Sequence, residues 1–322
     1  MPNPNGFIVL TGNAHPELAK KICEEQDFDF GNCIVGKFSD GETSVKIESN
    51  LRTKDVFIIQ PICGPSTSVN DHLMELILLI DAAKRSSAEK ITAVIPYYGY
   101  GRQDRKSEPH VPISAKVVAN ILESVGANRI ITMDLHANQI QGFFNIPVDN
   151  LYAKPVLIEY IKESFPEQKI VMVSPDAGGA ERARSFAKRL NNAETDIALI
   201  DKRRPEANKA EIMNVIGDVK DKLAIIVDDI ADTCGTMVKA AFALKEKGAA
   251  EVQAVCTHPV LSGRAIERLE KSVLKSIAFA DTIPLNKKAM QCSKIHTISV
   301  AKILAIAIKR SFEGKSVNSL FT

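Results

Sequence analysis

The residues with the most evident chemistry lie in one run, LAIIVDDIADTCGT, at positions 223–236. Two adjacent carboxylates, Asp228 and Asp229, follow an apolar stretch typical of a buried parallel strand, and Asp232 comes soon after. The next four residues are Thr233, Cys234, Gly235 and Thr236. They open a pattern of helical spacing, and a helix start attracts phosphate through its N–H groups and dipole. The run predicts a sugar-phosphate site; an acidic turn that only caps a helix is the alternative.

Other strand-like runs also end in residues that suit phosphate or a cation. Asp134 and His136 lie two positions apart, which places both side chains on one face of an extended strand. They suit a nucleotide phosphate and its Mg²⁺, although Mg²⁺ prefers oxygen ligands and a single histidine there is often structural. Asp176 precedes two glycines and a helical pattern, which favours close backbone approach to an anion; a simple tight turn is the alternative.

Three polar segments carry less information when they are taken alone. They are FSDGE at 38–42, RQDRK at 102–106 and the basic run DKRRPEANK at 201–209. Composition predicts a solvated hairpin or loop for each of them, since charged runs usually lie on the surface.

Taken together, these segments resemble the ribose-phosphate diphosphokinases, also called phosphoribosyl diphosphate synthetases, of the phosphate-activated and Mg²⁺-dependent type. The run 228–236 looks like the phosphoribosyl diphosphate loop of the type I phosphoribosyltransferase fold. The resemblance is collinear over nearly the whole chain and includes FSDGE (38–42), NDHLMEL (70–76), YGRQDRK (100–106), ITMDLHANQIQGFFNIPVDNLYA (131–153) and SPDAGGAERA (174–183).

The resemblance implies a reaction in which the C1 hydroxyl of ribose 5-phosphate attacks the β-phosphorus of ATP, and AMP leaves. It implies an ATP site whose first loop comes from a neighbouring subunit, so that the protein is a homo-oligomer, with a hexamer of dimers expected. Phe38 stacks on the adenine in this interpretation. The implied ATP-binding residues are Phe38, Asp40, Gly41, Glu42, Arg102 and Gln103.

The remaining site residues follow from the same resemblance. The ribose 5-phosphate site is assigned to Asp228, Asp229, Asp232, Thr233, Cys234, Gly235 and Thr236. The Mg²⁺ contacts are assigned to Asp134, His136, Asp149 and Asp176. Lys202 and Arg204 match a Lys-x-Arg pair on a flexible catalytic loop, where they neutralise charge on the transferred group, and His136 completes the catalytic set. No residue stands out as an obligatory general base; His136 and Asp228 are the nearest candidates.

The elements that position these residues alternate between strands and helices, which predicts an α/β fold of two similar domains. Each domain has a mostly parallel sheet flanked by helices, and the division falls at 1–150 and 151–322. Strands are predicted at Phe7–Leu10, Val56–Gln60, Ile91–Pro96, Ile130–Asp134, Lys169–Val173, Ile197–Ile200, Leu223–Val227 and Val252–Thr257. Helices are predicted over 68–86, 113–127 and 235–249, with Ser68 or Asn70 as a cap and Gly126 and Gly248 near ends.

Composition excludes several classes of protein. The chain has 322 residues, with 41 Lys and Arg against 39 Asp and Glu, and a net charge of +2 predicts no nucleic-acid partner. The longest apolar run, Ile303–Ile308, has six residues, whereas a membrane span needs about 20. The start of the chain has no pattern of a secretion signal, and six scattered cysteines favour a reducing cytoplasm.

Two other functions remain open at this stage. A nucleobase phosphoribosyltransferase uses the same DD…TCGT loop, but it normally needs one domain and leaves the first half unexplained. A non-catalytic regulatory subunit of a synthetase shares the fold and many motifs. The presence together of Lys202, Arg204, His136 and the sugar-phosphate loop favours the enzyme.

Overall fold

The computed structural model describes Asn3 and residues 5–64, 68–191, 195–203 and 212–320. The chain forms two compact units. The first unit comprises Met1–Tyr152, Thr282–Pro284 and Val300–Thr322, and the second comprises Ala153–Asp281 and Leu285–Ser299.

Strands and helices alternate along most of the described chain. The strands are β1 (Phe7–Thr11), β2 (Cys33–Lys37), β3 (Thr43–Ile47), β4 (Asp55–Ile59), β5 (Lys90–Ile95), β6 (Arg129–Met133), β7 (Val148–Leu151), β8 (Ile170–Ser174), β9 (Asp196–Arg203), β10 (Ile212–Ile216), β11 (Leu223–Ala231), β12 (Glu251–Pro259), β13 (Ile277–Ala280) and β14 (Ile295–Ile298). The α-helices are α1 (Pro16–Gln26), α2 (Val69–Arg85), α3 (Ser114–Val125), α4 (Lys154–Ser164), α5 (Ala180–Asn191), α6 (Gly235–Glu246), α7 (Ala265–Lys271), α8 (Lys287–Gln291) and α9 (Ala301–Phe312). Short 3₁₀ helices cover Asn138–Phe143 and Asn318–Leu320.

The first unit is built on a five-stranded parallel sheet in the order β1-β4-β5-β6-β7. The antiparallel hairpin β2–β3 forms a separate two-stranded sheet. Apolar side chains from the sheet and from α2 and α3 fill the core, among them Ile58, Leu76, Ile95 and Leu122. The carboxyl ends of the parallel strands share one edge of the sheet, which is where α/β folds bind ligands.

The second unit is built on a seven-stranded sheet in the order β10-β9-β8-β11-β12-β13-β14. All neighbouring strands are parallel except β10, which pairs with β9 in antiparallel fashion. Its core includes Val173, Ile226, Leu244 and Phe279, all fully buried. The strands are apolar along most of their length because helices cover both faces of such a sheet.

The two sheets share a connection pattern. In each unit a strand, a helix and a hairpin are followed by four strands that complete the parallel sheet, and in the second unit α4 precedes this series. The orders β1-β4-β5-β6-β7 and β8-β11-β12-β13-β14 are therefore equivalent. The hairpin β9–β10 extends the second sheet, whereas β2–β3 is separate and only a bridge between Val9 and Phe30 continues the first sheet at this edge. The predicted α/β class with two similar halves is confirmed.

The two compact units meet between Tyr152 and Ala153, and the end of the chain is grouped with the first unit. The sequence-based division placed all of 151–322 in the second domain, whereas Val300–Thr322 belongs to the first compact unit. The reason is that α9 packs against α1. The rings of Phe312 and Phe7 lie 4.7 Å apart, and Lys309 donates to Gln26 at 2.8 Å.

Every strand predicted from the sequence is present, and β9, β11 and β12 are clearly longer than expected. The stretch predicted to end at Val227 continues to Ala231, so Asp228 and Asp229 lie inside β11. The helices α2, α3 and α6 are confirmed; Ser68 caps α2, and Gly126 ends α3 with φ 123°. The hairpin β2–β3 agrees with the hairpin alternative given for the polar segment 38–42. The short strands β7, β10, β13 and β14 were not predicted, because four or five residues carry little periodicity.

Within the described ranges, no helix is both long and apolar enough to cross a bilayer. The six cysteines all belong to the described chain, and none of them is in a disulfide there.

Candidate active site

The sugar-phosphate loop of the second unit ends at an open helix start. Helix α6 begins at Gly235, and its N-cap residue Cys234 has the left-handed conformation with φ 57°. Within the described structure, no side-chain capping hydrogen bond is made by Cys234. The side chains of Thr233 and Thr236 are exposed. A left-handed residue followed by helical ones turns successive N–H groups toward one point, which makes a concavity for an anion.

The Cys234 thiol takes no direct part in this chemistry. Burial and the nearby charge of Asp232 raise the pKa of Cys234 to about 12, so the thiol stays protonated at neutral pH. The Asp232 carboxylate accepts a hydrogen bond from the Ser262 hydroxyl, and its carbonyl accepts from the Ser262 N–H at 3.1 Å. Asp232 therefore fixes the loop to the segment that follows β12.

Asp228 and Asp229 share a cation that the sequence reasoning did not assign. Arg182 of α5 lies 3.1 Å from the Asp229 carboxylate and 3.5 Å from that of Asp228. Asp229 is almost buried, whereas the side chain of Asp228 is 25% exposed. Burial and the neighbouring Asp229 raise the pKa of Asp228 to about 7, against the lowering effect of Arg182. Asp228 is therefore the carboxylate of the pair that reaches solvent, and burial beside Asp229 raises its pKa.

Asp176 lies in the turn between β8 and α5. Its carboxylate accepts the Gly179 N–H at 3.0 Å, and its carbonyl accepts from the Ser174 hydroxyl at 2.6 Å. A Cβ at Gly179 would lie 2.7 Å from the Ser174 Oγ, so the turn requires glycine there. The Arg182 Nη1 and the Asp176 Oδ1 each lie 3.8 Å from that same point. The structure thus places Arg182 against Asp228 and Asp229, near the turn that carries Asp176.

The two cations assigned to catalysis are placed only in part. Lys202 lies in β9, opposite Met213 of β10, at the carboxyl side of the sheet. Arg204 lies outside the described residues. Their catalytic role stays a prediction.

In the first unit, FSDGE forms the predicted turn between two strands, β2 and β3. The Phe38 N–H donates to the Glu42 carbonyl at 2.8 Å, and the Gly41 N–H donates to the Phe38 carbonyl at 3.0 Å. The Asp40 carboxylate accepts the Glu42 N–H at 3.1 Å. Gly41 has φ 95°, a conformation that favours glycine. The turn holds Phe38 59% exposed, which is unusual for an apolar ring and suits a planar ligand.

A second loop of the first unit carries Arg102 and Gln103. The Gln103 N–H donates to the Tyr100 carbonyl at 3.1 Å, and the Gln103 carbonyl accepts from the Ala115 N–H at 3.2 Å. Asp104 accepts a hydrogen bond from Gln139 at 2.9 Å, and Gln139 belongs to the segment that follows His136. The structure therefore joins the Arg102 loop to the loop of Asp134 and His136. Neither Asp104 nor Gln139 had been singled out from the sequence.

The spacing of Asp134 and His136 predicted that both side chains lie on one face of a strand. The structure shows that they do not. Strand β6 ends at Met133, and Asp134 already has φ 40°, so the alternation of a strand no longer applies. The Asp134 N–H donates to the Leu151 carbonyl at 2.8 Å, and Asn150 accepts the next N–H, that of Leu135, at 3.1 Å. Both partners belong to β7, which therefore sets the shape of this turn.

Asp149 is placed apart from this turn. Asp149 lies opposite Ile131 in the β6–β7 register, and Ile131 comes three residues before Asp134. The Asp149 carboxylate forms an ion pair with Arg129 at 2.6 Å. Successive residues of a strand point to opposite faces, so Asp149 faces away from the side on which Asn150 supports the turn. Asn145 is held by the Glu123 carboxylate, which accepts from its N–H at 2.5 Å and from its amide group at 2.9 Å.

A buried polar network at the same edge of the first sheet escaped the sequence reasoning. Glu75 of α2 is 4% exposed and accepts from Gln60 at 2.7 Å, from the Asn13 N–H at 3.0 Å and from the Asn13 amide at 3.0 Å. Among the described residues, no cation pairs with Glu75. Asn13 also donates to the Val35 carbonyl of β2 at 3.1 Å. Nothing in the segment NDHLMEL (70–76) indicates that Glu75 is buried.

The carboxylates of the site fit Mg²⁺ that is shared with a substrate. No group of three or more His, Cys, Asp or Glu in the described structure is arranged to hold a metal ion. Mg²⁺ commonly uses one or two carboxylates and completes its coordination with water and substrate phosphates. Asp134 beside the exposed His136, and the exposed Asp176, each offer such a carboxylate at a strand end.

Comparison with known proteins finds matches of the same kind in both halves of the chain. Residues 7–126 match a family model described as the N-terminal domain of ribose phosphate pyrophosphokinase, and residues 193–322 match the phosphoribosyl synthetase-associated domain. A ribose-phosphate pyrophosphokinase of Marinomonas sp. (strain MWYL1) is 54% identical, with 98% of each chain covered. Ribose-phosphate pyrophosphokinase A of Dictyostelium discoideum is 53% identical over 98% of this chain and 97% of its own.

A solved structure agrees with these relatives. The phosphoribosylpyrophosphate synthetase of Mycobacterium smegmatis superposes with a TM-score of 0.89 at 38% identity, covering 96% of this chain and 99% of its own. Two α/β units with an anion concavity beside paired carboxylates define a phosphoribosyltransferase-like protein. More narrowly, the chain belongs to the ribose-phosphate pyrophosphokinase family. It is a transferase of phosphoribosyl pyrophosphate synthesis, and the predictions of family, function and enzyme class are confirmed.

Proposed function

We propose that this chain transfers the diphosphoryl group of ATP to the C1 hydroxyl of ribose 5-phosphate through the residues described above, giving 5-phosphoribosyl 1-diphosphate and AMP. The observation that carries the assignment of residues is the pairing of Asp228 and Asp229 with Arg182 inside the strand that leads to the open start of α6. This arrangement supplies acceptors for hydroxyl groups and N–H donors for a phosphate a few residues apart.

In this proposal the second unit binds the sugar phosphate. The N–H groups and hydroxyls of residues 233–236 hold the 5-phosphate, as helix starts hold anions elsewhere. Asp228 and Asp229 accept hydrogen bonds from the ribose hydroxyls, and Arg182 keeps the two carboxylates close together in spite of their like charges. Asp228, with a pKa of about 7, is the carboxylate best suited to accept the proton of the attacking hydroxyl.

The first unit supplies the nucleotide site. Phe38 stacks on adenine, and Asp40, Gly41 and Glu42 lie beside the base. Arg102 and Gln103 contact the base and the phosphates, since a planar guanidinium both stacks and binds phosphate. The exposure of Phe38 supports this assignment. It also supports a homo-oligomer in which this turn completes the site of a second copy.

Charge neutralisation completes the mechanism. Asp134 with His136, and Asp176, would hold Mg²⁺ on the substrate phosphates; Asp149 is left out because Arg129 occupies its carboxylate. Bound Mg²⁺ would neutralise charge on the triphosphate. Lys202 and Arg204 provide further positive charge at the transferred group, which matters because phosphoryl transfer depends on positioning and electrostatics. We place this activity in the cytoplasm, as the cysteine usage and the family favour.

The test is an assay of the purified protein with Mg²⁺, ATP and ribose 5-phosphate, in which AMP and the sugar diphosphate are quantified. We expect AMP to form only when ribose 5-phosphate is present, in equal amount to the diphosphate product. Product formation only from a nucleobase and ready-made phosphoribosyl diphosphate would identify a nucleobase phosphoribosyltransferase instead. No reaction in either mixture would identify a regulatory subunit. Light scattering of the same sample tests the oligomer.

A further inference from the structure

The sugar-phosphate loop is held from outside by one exposed cation. Arg268 of α7 donates from Nη1 to the Thr233 carbonyl at 2.8 Å. The same nitrogen would lie 3.6 Å from a Cβ on Gly235, so the guanidinium also lies close to the first residue of α6. Its positive charge reaches Cys234, where it lowers the thiol pKa against the effect of burial. Arg268 thus contacts the loop at the peptide that precedes its left-handed residue.

The orientation of that peptide decides whether the loop can bind an anion. Thr233 and Cys234 are joined by a trans peptide, in which the C=O and N–H groups point in opposite directions. A carbonyl held toward Arg268 therefore turns the Cys234 N–H away from Arg268, to join the N–H groups that begin α6. A flip of this peptide would present the carbonyl oxygen where the N–H had been, and an oxygen repels phosphate.

The flip is a real competitor because Cys234 is strained. A residue with a Cβ is strained in the left-handed conformation, and Cys234 has φ 57°. Reversing the peptide would return Cys234 to a negative φ and relieve that strain. Some contact must oppose this, and the hydrogen bond from Arg268 acts on the peptide that would turn.

We propose that Arg268 is a positioning residue for the sugar-phosphate site: it locks the Thr233–Cys234 peptide in the orientation that opens the loop to a phosphate monoester. The inference rests on the proposed function, because it takes ribose 5-phosphate as the ligand of this loop. Arg268 is exposed, so its replacement leaves the core of the second unit intact.

The test compares Arg268→Ala with Arg264→Ala in the full-length protein. Arg264 is a matched control, because it lies one turn earlier, is 73% exposed and pairs with Glu267 instead of the loop. We expect Arg268→Ala to weaken ribose 5-phosphate binding about 10- to 100-fold, the value of a hydrogen bond to a charged group. Calorimetric titration with ribose 5-phosphate alone measures this. The KM for ATP should change by less than about two-fold, as for a surface substitution remote from that site.

A second variant separates positioning from simple charge. Glycine adopts the left-handed conformation without strain, so Cys234→Gly added to Arg268→Ala should recover most of the lost affinity. Equal losses in Arg268→Ala and Arg264→Ala, a parallel rise in the KM for ATP, or no recovery with glycine would each overturn the proposal. If the wild-type chain binds ribose 5-phosphate but forms no AMP, the proposed function fails while the positioning role is still decided by the titrations.

Discussion

Helices α2 and α6 have equivalent places in the two units, yet they begin in opposite ways. Helix α2 is closed by a capping box: the Ser68 hydroxyl accepts the Asp71 N–H at 3.1 Å, and the Asp71 carboxylate accepts the Ser68 N–H at 3.4 Å. Helix α6 begins at the left-handed Cys234 with no such side-chain bond in the described structure. The first helix start is therefore closed by its own side chains, whereas the second has no such side-chain cap in the described structure.

The carboxylates at the equivalent edges of the two sheets also differ, in their exposure to solvent and in the groups that bind them. Glu75 is buried and accepts from neutral donors on Asn13 and Gln60, so it ties the strands and the hairpin β2–β3 together. Asp228 and Asp229 are balanced by Arg182, and Asp228 reaches solvent. Equivalent edges thus have two uses: they carry a buried structural network in the first unit and a solvent-accessible carboxylate pair in the second. Solvent access and a cation distinguish the two uses.

The largest effect on activity is expected for Lys202, which lies in the hairpin β9–β10. This hairpin extends the second sheet, whereas β2–β3 is separate from the first. Lys202→Ala should lower kcat about 1,000-fold and leave both KM values nearly unchanged, because the lysine acts on charge that develops in the transition state. Steady-state kinetics with each substrate varied in turn measure this. Arg203→Ala is the control, since the Lys-x-Arg pattern leaves that neighbouring cation out. Unchanged turnover in Lys202→Ala would remove the hairpin β9–β10 from the mechanism.

The next effect concerns stability and the first unit. Glu75→Ala should destabilise the protein by about 2–4 kcal/mol, because Gln60 and the Asn13 N–H lose their buried acceptor. Thermal unfolding followed by calorimetry measures the loss. Asp81→Asn is the control, a partly exposed carboxylate on the same helix that pairs with Arg85. An equal, small effect of both substitutions would show that the buried network around Glu75 contributes little to stability.

A substitution at the second sheet edge should act on one substrate only. Asp228→Ala should weaken ribose 5-phosphate binding about 10- to 100-fold, since the carboxylate accepts from ribose hydroxyls. Titration with each substrate separately compares the affinities, and the affinity for ATP is the internal control. Equal losses for both substrates would contradict a dedicated sugar site.

The raised pKa of Asp228 also gives a dependence of stability on pH. Because its pKa is about 7 in the folded protein and 3.8 ordinarily, the folded state binds the proton more tightly than the unfolded state. The stabilising contribution of this proton is complete below about pH 4 and is lost as the pH rises through 7. Relative to Asp228→Asn, the wild-type Tm should therefore fall between pH 4 and 7. A constant difference in Tm would show that Asp228 stays ionised throughout.

The smallest effect tests the closed helix start. Ser68→Ala should cost about 1 kcal/mol of stability, the usual value of an N-cap, and should leave ribose 5-phosphate affinity unchanged. Chemical denaturation and a titration on the same sample provide both measurements. A large loss of sugar-phosphate affinity would mean that the two helix starts are not independent.

Much of this architecture could be predicted from the sequence, because long apolar strands and helical spacing carry strong signals. The loop 228–236 was recognised for the same reason: residue types and spacing lie within one short segment. Arg182 and Arg268 were missed because each reaches the site from another helix, and linear spacing does not show which helix packs nearby. The partner of Asp149 could not be predicted for a related reason, since its pairing with Arg129 depends on the register between β6 and β7.

The position of α9 has a consequence for how the protein is made. The first unit contains residues 5–64 and 68–152 but is completed by α9, which arrives after the whole second unit has been synthesised. Phe7 and Gln26 gain Phe312 and Lys309 as partners only then. During synthesis the second unit can fold as soon as it emerges, while the first must wait with the face of α1 uncovered. The face of α1 that α9 covers therefore stays exposed until the last residues are made, and a fragment cut near residue 152 would keep that exposure permanently.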